Sequence, residues 1–222
     1  MADRTIVVGD VHGCSSELDA LYRLCEVGPG DELVFVGDLV AKGPDSAGVL
    51  ARMRAWNARS VRGNHDAAAV ACRLLPEHQV PVHRRALVAS LSDQDLALLA
   101  GLPLWLRLSR GLVVHAGIVP GLALERQDPY LLMNMRTLDE QGRGSRSAAT
   151  GQLWGAAYPG PELILFGHHA RAGLQLHPFA LGLDTGCVYG GRLTACILPE
   201  RRIVSVPARR AYTATSDARS RR

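Results

Sequence analysis

Five short apolar runs in this chain end on residue types that bind metals: Asp10 with His12, Asp38, Asn64 with His65, His115, and His168 with His169. Singly each break is ordinary, because Gly-Asp is commonly a turn and a histidine after Val-Val is commonly a hydrogen-bonded core residue. Together they would deliver carboxylate, imidazole and amide groups to one edge of a sheet. That donor set suits a pair of divalent cations, since one carboxylate can bridge ions ~3.5 to 4 Å apart while oxygen and nitrogen donors complete the spheres of Mn²⁺, Fe²⁺ or Zn²⁺. Two such cations lower the pKa of shared water, neutralise phosphoryl oxygens and orient in-line attack on phosphorus. The glycines before the ligands remove side-chain bulk where backbone and phosphate must approach closely.

The elements that must position these groups have a strand-helix-strand-helix rhythm. Thr5 to Val8, Leu33 to Val36 and the short Ser60-Val61 read as strands. Between them, Leu18, Leu21, Tyr22 and Cys25 have helical spacing, with Ser15 or Ser16 as the cap, and Val49, Leu50, Met53 and Trp56 form a second stripe. Residues 62 to 66 read as a turn, followed by a helix over 67 to 75. Ser92, with Asp95 three residues on, opens another. Leu104, Leu106 and Leu108 alternate ahead of Ser109-Arg110-Gly111 and Leu112 to Val114, the pattern of a hairpin. Residues 120 to 150 lack a period and read as an excursion over one end of the sheet. Leu163 to Phe166 is a further strand, and Leu193 to Leu198 with Ile203 to Val206 a closing hairpin. Such units place the chain in the α/β class, with a mixed sheet covered by helices and reactive groups gathered where strands end.

Composition narrows the class. The 222 residues, 47% hydrophobic, fit one sizeable core. Five cysteines without CxxC spacing favour neither a disulfide scaffold nor a cysteine-based zinc site, and suit a reducing compartment. No signal-like segment or membrane-length apolar run is present, so the cytoplasm is the expected location and no membrane partner is expected. The net charge of +4 is carried entirely after Pro207, where Arg209, Arg210, Arg219, Arg221 and Arg222 face Asp217. The expected organisation is a catalytic domain over 1–207 and a polar, arginine-rich tail over 208–222. That tail is read as a solvated, unstructured terminus rather than an arm for a nucleic acid or other polyanion. Nothing in the sequence sets an oligomeric state.

The segments GDVHG (9–13), GDLVAKGPDS (37–46), RGNHD (62–66), VVHAG (113–117) and FGHH (166–169) resemble, in order and spacing, the five signatures of the phosphoprotein phosphatase superfamily of metallophosphoesterases. LDTGCVYGGRLTA (183–195) is most similar to the bacterial symmetrical diadenosine tetraphosphatases, and AKGP, where most members have DRG, resembles the ApaH-like branch. The resemblance implies a calcineurin-like fold with mixed sheets layered against helices. It implies one metal held by Asp10, His12 and Asp38 and a second by Asp38, Asn64, His115 and His168, with Asp38 bridging. Mn²⁺ is the expected ion, with Fe²⁺, Zn²⁺, Co²⁺ and Mg²⁺ as alternatives. His65 becomes the general acid, with Asp66 either its partner or a helix N-terminal acid. Arg62 offers a bidentate phosphate clamp, and Lys42, the chain's one lysine, a compact charge. Arg136, ahead of Arg143 and Arg146 in the excursion, is the expected further phosphate contact, and Asp184 and Tyr189 are expected to face the cleft. His169 stands where relatives commonly have threonine and is expected to lie outside the ligand set.

The expected activity is hydrolysis of dinucleoside polyphosphates, with diadenosine tetraphosphate cleaved to two ADP. The shared metal chemistry leaves a serine/threonine or tyrosine phosphoprotein phosphatase as the alternative. A noncatalytic metal- or nucleotide-binding protein is the reading from outside enzymology, kept open by Ala41 and Lys42.

Overall fold

The computed structural model describes residues 4–214. In chain order the elements are β1 (Thr5–Val8), α1 (Ser15–Leu24), β2 (Glu32–Phe35), α2 (Ser46–Ala55), β3 (Arg59–Ser60), α3 (Asn64–Arg73), α4 (Val82–Ser90), α5 (Asp93–Gly101), β4 (Trp105–Leu108) and β5 (Gly111–Val114). They continue with α6 (Pro129–Asn134), β6 (Thr137–Leu138), β7 (Gly144–Ser145), β8 (Gln152–Leu153), α7 (Trp154–Ala157), β9 (Ile164–Phe166), β10 (Gln175–Leu176), β11 (Ala180–Gly182), β12 (Arg192–Leu198) and β13 (Arg202–Pro207).

The strands form two five-stranded sheets, ordered β13-β12-β1-β2-β3 and β10-β11-β9-β5-β4, and a small third sheet, β7-β6-β8. Both large sheets are mixed. β1 runs parallel to β2 but antiparallel to β12, and β5 runs parallel to β9 but antiparallel to β4.

Period-two alternation decides how the sheets stack. Val7, Val34, Val113 and Leu165 point into a core shared by the two sheets. Their neighbours Ile6, Val8, Leu33 and Phe35 point outward beneath Leu18, Leu21, Val49 and Leu50 of the first two helices. Leu112, Val114, Ile164 and Phe166 pack on the opposite outer face with Trp154 and Leu132. The result is helix, sheet, sheet, helix. Each such buried aliphatic side chain contributes about 1.5–3 kcal/mol, so both sheets are fixed on both faces and their strand ends are held rigidly.

Several expectations change locally. The first helix is capped at Cys14 with no side-chain cap bond, so neither Ser15 nor Ser16 is the cap. α3 begins at Asn64, three residues before the expected start, because the Asp66 carboxylate takes the Gly63 N–H at 3.0 Å and ties off the first turn. Ser92 and Asp95 form the expected capping box, with bonds of 3.1 and 3.0 Å. α4 has no counterpart in the sequence reading. The 120–150 excursion is partly ordered by α6 and the small sheet. Residues 208–214 of the expected tail pack on the body: Glu17 accepts the Arg209 N–H at 2.9 Å and the Tyr212 hydroxyl at 2.7 Å. Arg219, Arg221 and Arg222 lie outside the described residues.

Candidate metal centre and cleft

β1, β2, β3, β5 and β9 end at one edge, and the five sequence segments meet there. Of the eight non-glycine residues with positive φ among the described residues, five lie here: His12, Asp38, Ala41, Lys42 and His168. Such backbone costs on the order of 1–3 kcal/mol per residue and collects where function over-determines the structure.

Asp38 is the hinge of the arrangement. Its Oδ2 lies 3.4 Å from His12 Nε2 and its Oδ1 3.6 Å from His115 Nε2, while Oδ1 also accepts the His65 N–H at 2.8 Å. One carboxylate thus faces two histidines from opposite sides. The tautomers follow from the other ring nitrogens. His12 Nδ1 donates to the Val40 carbonyl at 3.1 Å, and His115 Nδ1 to the Val36 carbonyl at 2.8 Å. Both Nε2 lone pairs then face carboxylate oxygens, an arrangement that favours a cation between them; at His12 the Lys42 ammonium approaches that nitrogen at 3.0 Å. Asn64 Oδ1 joins the second side, 3.1 Å from His115 Nε2 and 3.0 Å from His168 Nδ1, and His168 Nε2 donates to the Asn134 carbonyl at 3.1 Å. Asp10 accepts the His168 N–H on both oxygens, at 3.0 and 3.2 Å, which stitches the ends of β1 and β9 together across the two sheets.

Ligand atoms of His12, Asp38 and His65 lie within 4.8 Å of one another, and so do those of Asp10, Asp38 and His115. Asp38 is common to both groups, as a two-cation centre requires. Asp10 falls in the group with His115 rather than in that with His12, although its Oδ2 is 3.9 Å from His12 Nε2. The donors are buried carboxylates, an amide oxygen and oriented imidazoles, a set that fits two divalent cations.

Glycine makes the approach possible. A Cβ on Gly167 would stand 2.0 Å from Asp10 Oδ1, and one on Gly63 would stand 2.1 Å from Asp38 Oδ1. The space these two glycines leave is filled by the carboxylates of neighbouring strand ends, while Gly9 and Gly37 give the expected close approach of backbone, to the Leu183 carbonyl and the Gly63 N–H.

Burial and mutual charge set the titration of the centre. Burial would raise the Asp38 carboxyl, but His115, His65, His12 and Lys42 hold it below the usual range. Burial, with Asp184 and Asp38 nearby, pushes Asp10 well up. Burial and Lys42 bring His12 down to about 3, and burial, Lys42, Arg84 and His115 bring His65 down to about 4, both against the opposing pull of Asp38. Added cations deepen the preference for neutral imidazole and ionised carboxylate.

Lys42 Nζ donates to His12 Nε2 at 3.0 Å and sits 5.3 Å from the centroid of the Tyr189 ring, so the lone lysine is part of the centre. His65 stands edge-on to His12, with centroids 5.0 Å apart. The Asp66 carboxylate is taken up by the Leu39, Val40 and Gly63 N–H groups at 3.0, 3.3 and 3.0 Å, which makes it the helix acid that also braces the second signature. Burial and Asp38 raise it to about 7. The Arg62 guanidinium donates to the Ala100 carbonyl, and Arg62 is not among the residues that line the cleft described below. Val61, just past the end of β3, packs in the inter-sheet core.

A cleft of about 630 Å³ opens over the centre. His12, Asp38, Asn64, His65 and His168 form its floor; Lys42, Asp184 and Tyr189 form one wall, and Arg136, Arg146 and Arg171 another. Asp184 is buried and accepts the Gly186 N–H at 3.1 Å. Arg136 donates to the Arg146 carbonyl at 2.9 Å, which fixes the wall. His169 also lines the cleft, buried with Nδ1 unpartnered, and burial, Arg136 and Arg171 bring it down to about 4. Arg171 was missed by sequence reasoning, although its place two residues after FGHH was the available signal.

The chain matches the model of the calcineurin-like phosphoesterases over residues 3–173. It is 31% identical to the symmetrical bis(5'-nucleosyl)-tetraphosphatase of Janthinobacterium sp. (strain Marseille), over 91% of this chain and 95% of that protein. It is also 31% identical to the asymmetrical bis(5'-nucleosyl)-tetraphosphatase PrpE of Bacillus subtilis (strain 168), over 93% and 95%. A crystal structure described as that of a candidate diadenosine tetraphosphatase superposes with a TM-score of 0.86 at 38% identity, covering 94% of this chain and 95% of that one.

Proposed function

Because the chain belongs to the calcineurin-like phosphoesterase family, on the branch of the ApaH-like phosphatases, we propose that it hydrolyses dinucleoside polyphosphates, taking diadenosine tetraphosphate to two ADP. It is a metal-dependent phosphohydrolase. The observation that carries the substrate reading is the cleft itself, in which the doubly faced Asp38 lies opposite a wall of three arginines. A single phosphoryl group needs no such wall, whereas a bridge of several phosphates does.

Asp10, His12 and Asp38 would hold one cation, and Asp38, Asn64, His115 and His168 the other. The pair supplies water of lowered pKa and neutralises phosphoryl oxygens. Carboxylate, amide and imidazole donors together suit Mn²⁺. Lys42 and Arg136 grip the oxygens of the phosphorus under attack, where charge spreads as the bond breaks. Arg146 and Arg171 hold the rest of the bridge. His65, at the rim of the centre, serves as general acid by relaying a proton from the attacking water to the departing phosphate oxygen, and Asp66 fixes the backbone that carries Ala41 and Lys42. Asp184 and Tyr189 shape the wall behind Lys42. No helix among the described residues is long and apolar enough to cross a membrane. The five unpaired, buried cysteines support work in the cytoplasm.

The test offers purified protein, with and without Mn²⁺, diadenosine tetraphosphate and a set of phosphopeptides, and identifies products by ³¹P NMR. Two ADP are expected. AMP with ATP overturns symmetric cleavage, peptide dephosphorylation with inert dinucleotide overturns the substrate class, and metal binding without turnover of anything overturns catalysis.

A further inference from the structure

The cleft continues past the metal centre. A second cavity of about 400 Å³ shares Lys42, His65 and Tyr189 with the first and extends to Arg84 and Leu87 of α4 and to Thr213 of the C-terminal segment. The two differ in charge. The first is lined by Asp38 and Asp184 among its cations, whereas among the described residues no carboxylate lines the second. Arg84 Nη1 is buried without a hydrogen-bond partner among the described residues, and Arg84 lines this cavity together with His65. A buried guanidinium N–H left unpaired is costly, and its planar fork matches phosphate oxygens. Ala41 contributes only a methyl to the same wall, so nothing from that position neutralises Arg84.

We propose that this second cavity is the leaving-group pocket, in which Arg84 binds the phosphate of the departing nucleotide and Leu87 and Tyr189 form the apolar wall beside it. The inference rests on the reading of the reaction as phosphoanhydride cleavage. Water's oxygen forms the new bond to phosphorus, and the bond to the bridging oxygen breaks with its electron pair left on that oxygen. The attacking water gives up one proton to the His65 ring, which hands a proton on to the departing oxygen and so ends as it began. The departing half still carries the charge of its remaining phosphate, which one histidine does not offset. A departing serine or tyrosine side chain carries no such charge, so Arg84 is a specificity-determining residue on the side of His65 opposite the arginine wall.

The experiment compares wild type with Arg84→Gln, which keeps much of the side-chain stem, and with Ala41→Asp, which sets a carboxylate beside Arg84. Residue 41 has φ 76, a region aspartate tolerates better than alanine, so the second variant does not depend on α4 packing. Turnover of diadenosine tetraphosphate and of p-nitrophenyl phosphate is measured with Mn²⁺, and ADP binding by calorimetry. Both variants are expected to lower the ratio of dinucleotide to p-nitrophenyl phosphate turnover by about tenfold to a hundredfold, and to weaken ADP binding by about tenfold or more. Equal losses on both substrates, ADP affinity unchanged in Arg84→Gln, or no ADP binding by wild type overturns the pocket. A wild type that turns over only p-nitrophenyl phosphate sinks the dinucleotide reading instead, and the pocket then stands or falls on ADP binding.

Discussion

Gly167→Ala should separate metal binding from folding. The added Cβ would stand 2.0 Å from Asp10 Oδ1 and 2.6 Å from Val36 Cγ2, against 3.4 Å for ordinary contact. Backbone conformation is not at issue, because Gly167 is absent from the positive-φ glycines. The carboxylate must therefore retreat by more than an ångström, and its bonds to the His168 N–H are lost with it. Contact with Val36 and loss of those bonds cost about 1–3 kcal/mol of stability, which a buried core of this size absorbs. The metal site is far less forgiving, since ligand distances tolerate only ~0.2 Å. Affinity at the Asp10 side should fall by about a hundredfold, and turnover by a similar factor from misplacement alone. Metal content after dialysis in trace-metal-free buffer, read by mass spectrometry, should drop from two ions per chain toward one, while circular dichroism stays native. Gly101→Ala, with nothing within 4 Å of its added Cβ, is the control. Two retained ions with wild-type turnover in Gly167→Ala would refute the placement of Asp10 in the centre.

Three further outcomes follow from the geometry. Lys42→Ala should lower kcat by about tenfold to a hundredfold with metal content retained, because an ammonium group has no lone pair to give a metal and serves the phosphoryl oxygens instead; loss of both ions would reverse that role. His169 falls from 6.5 to about 4 on folding, through burial, Arg136 and Arg171, so between those values the unfolded chain binds the extra proton. Stability of the metal-free protein should decline as pH drops through that window and the slope should be shallower in His169→Gln; an identical slope in urea titrations would exclude the effect. Tyr212→Phe removes the hydroxyl bond to Glu17 and should cost about 1–2 kcal/mol in chemical denaturation, whereas an unchanged midpoint would mean that the C-terminal segment is not anchored there.

The centre was legible because its ligands follow short strands. Alternation such as Val7 against Ile6 and Val8 leaves a strong trace, and the polar residue after each apolar run marks where the chain leaves the sheet. Arg62 lies beyond the end of β3, where no alternation fixes its direction. Adjacency to a signature does not decide which way a side chain leaves a strand. Asp66 was ambiguous for a different reason, since helix acid and histidine partner share one position in sequence and only the three backbone donors around it separate them. α4 left no trace because none of its residues is buried and its cap is Pro81, without a side-chain bond, so Arg84 could not be connected to His65. The small sheet escaped because strands of two residues are too short for any period to emerge.

The bond from the His168 N–H to Asp10 spans 158 positions of chain, and β1 lies between β2 and β12 in its sheet. During synthesis the first strand can pair with β2 early, yet its other edge stays bare until nearly the whole chain has emerged. A bare edge is a template for wrong partners, so the nascent protein is exposed for longest at the strand that carries its first ligand. The full donor set therefore assembles only once β9 has delivered His168 to Asp10, and β12, by covering the other edge of β1, closes the template.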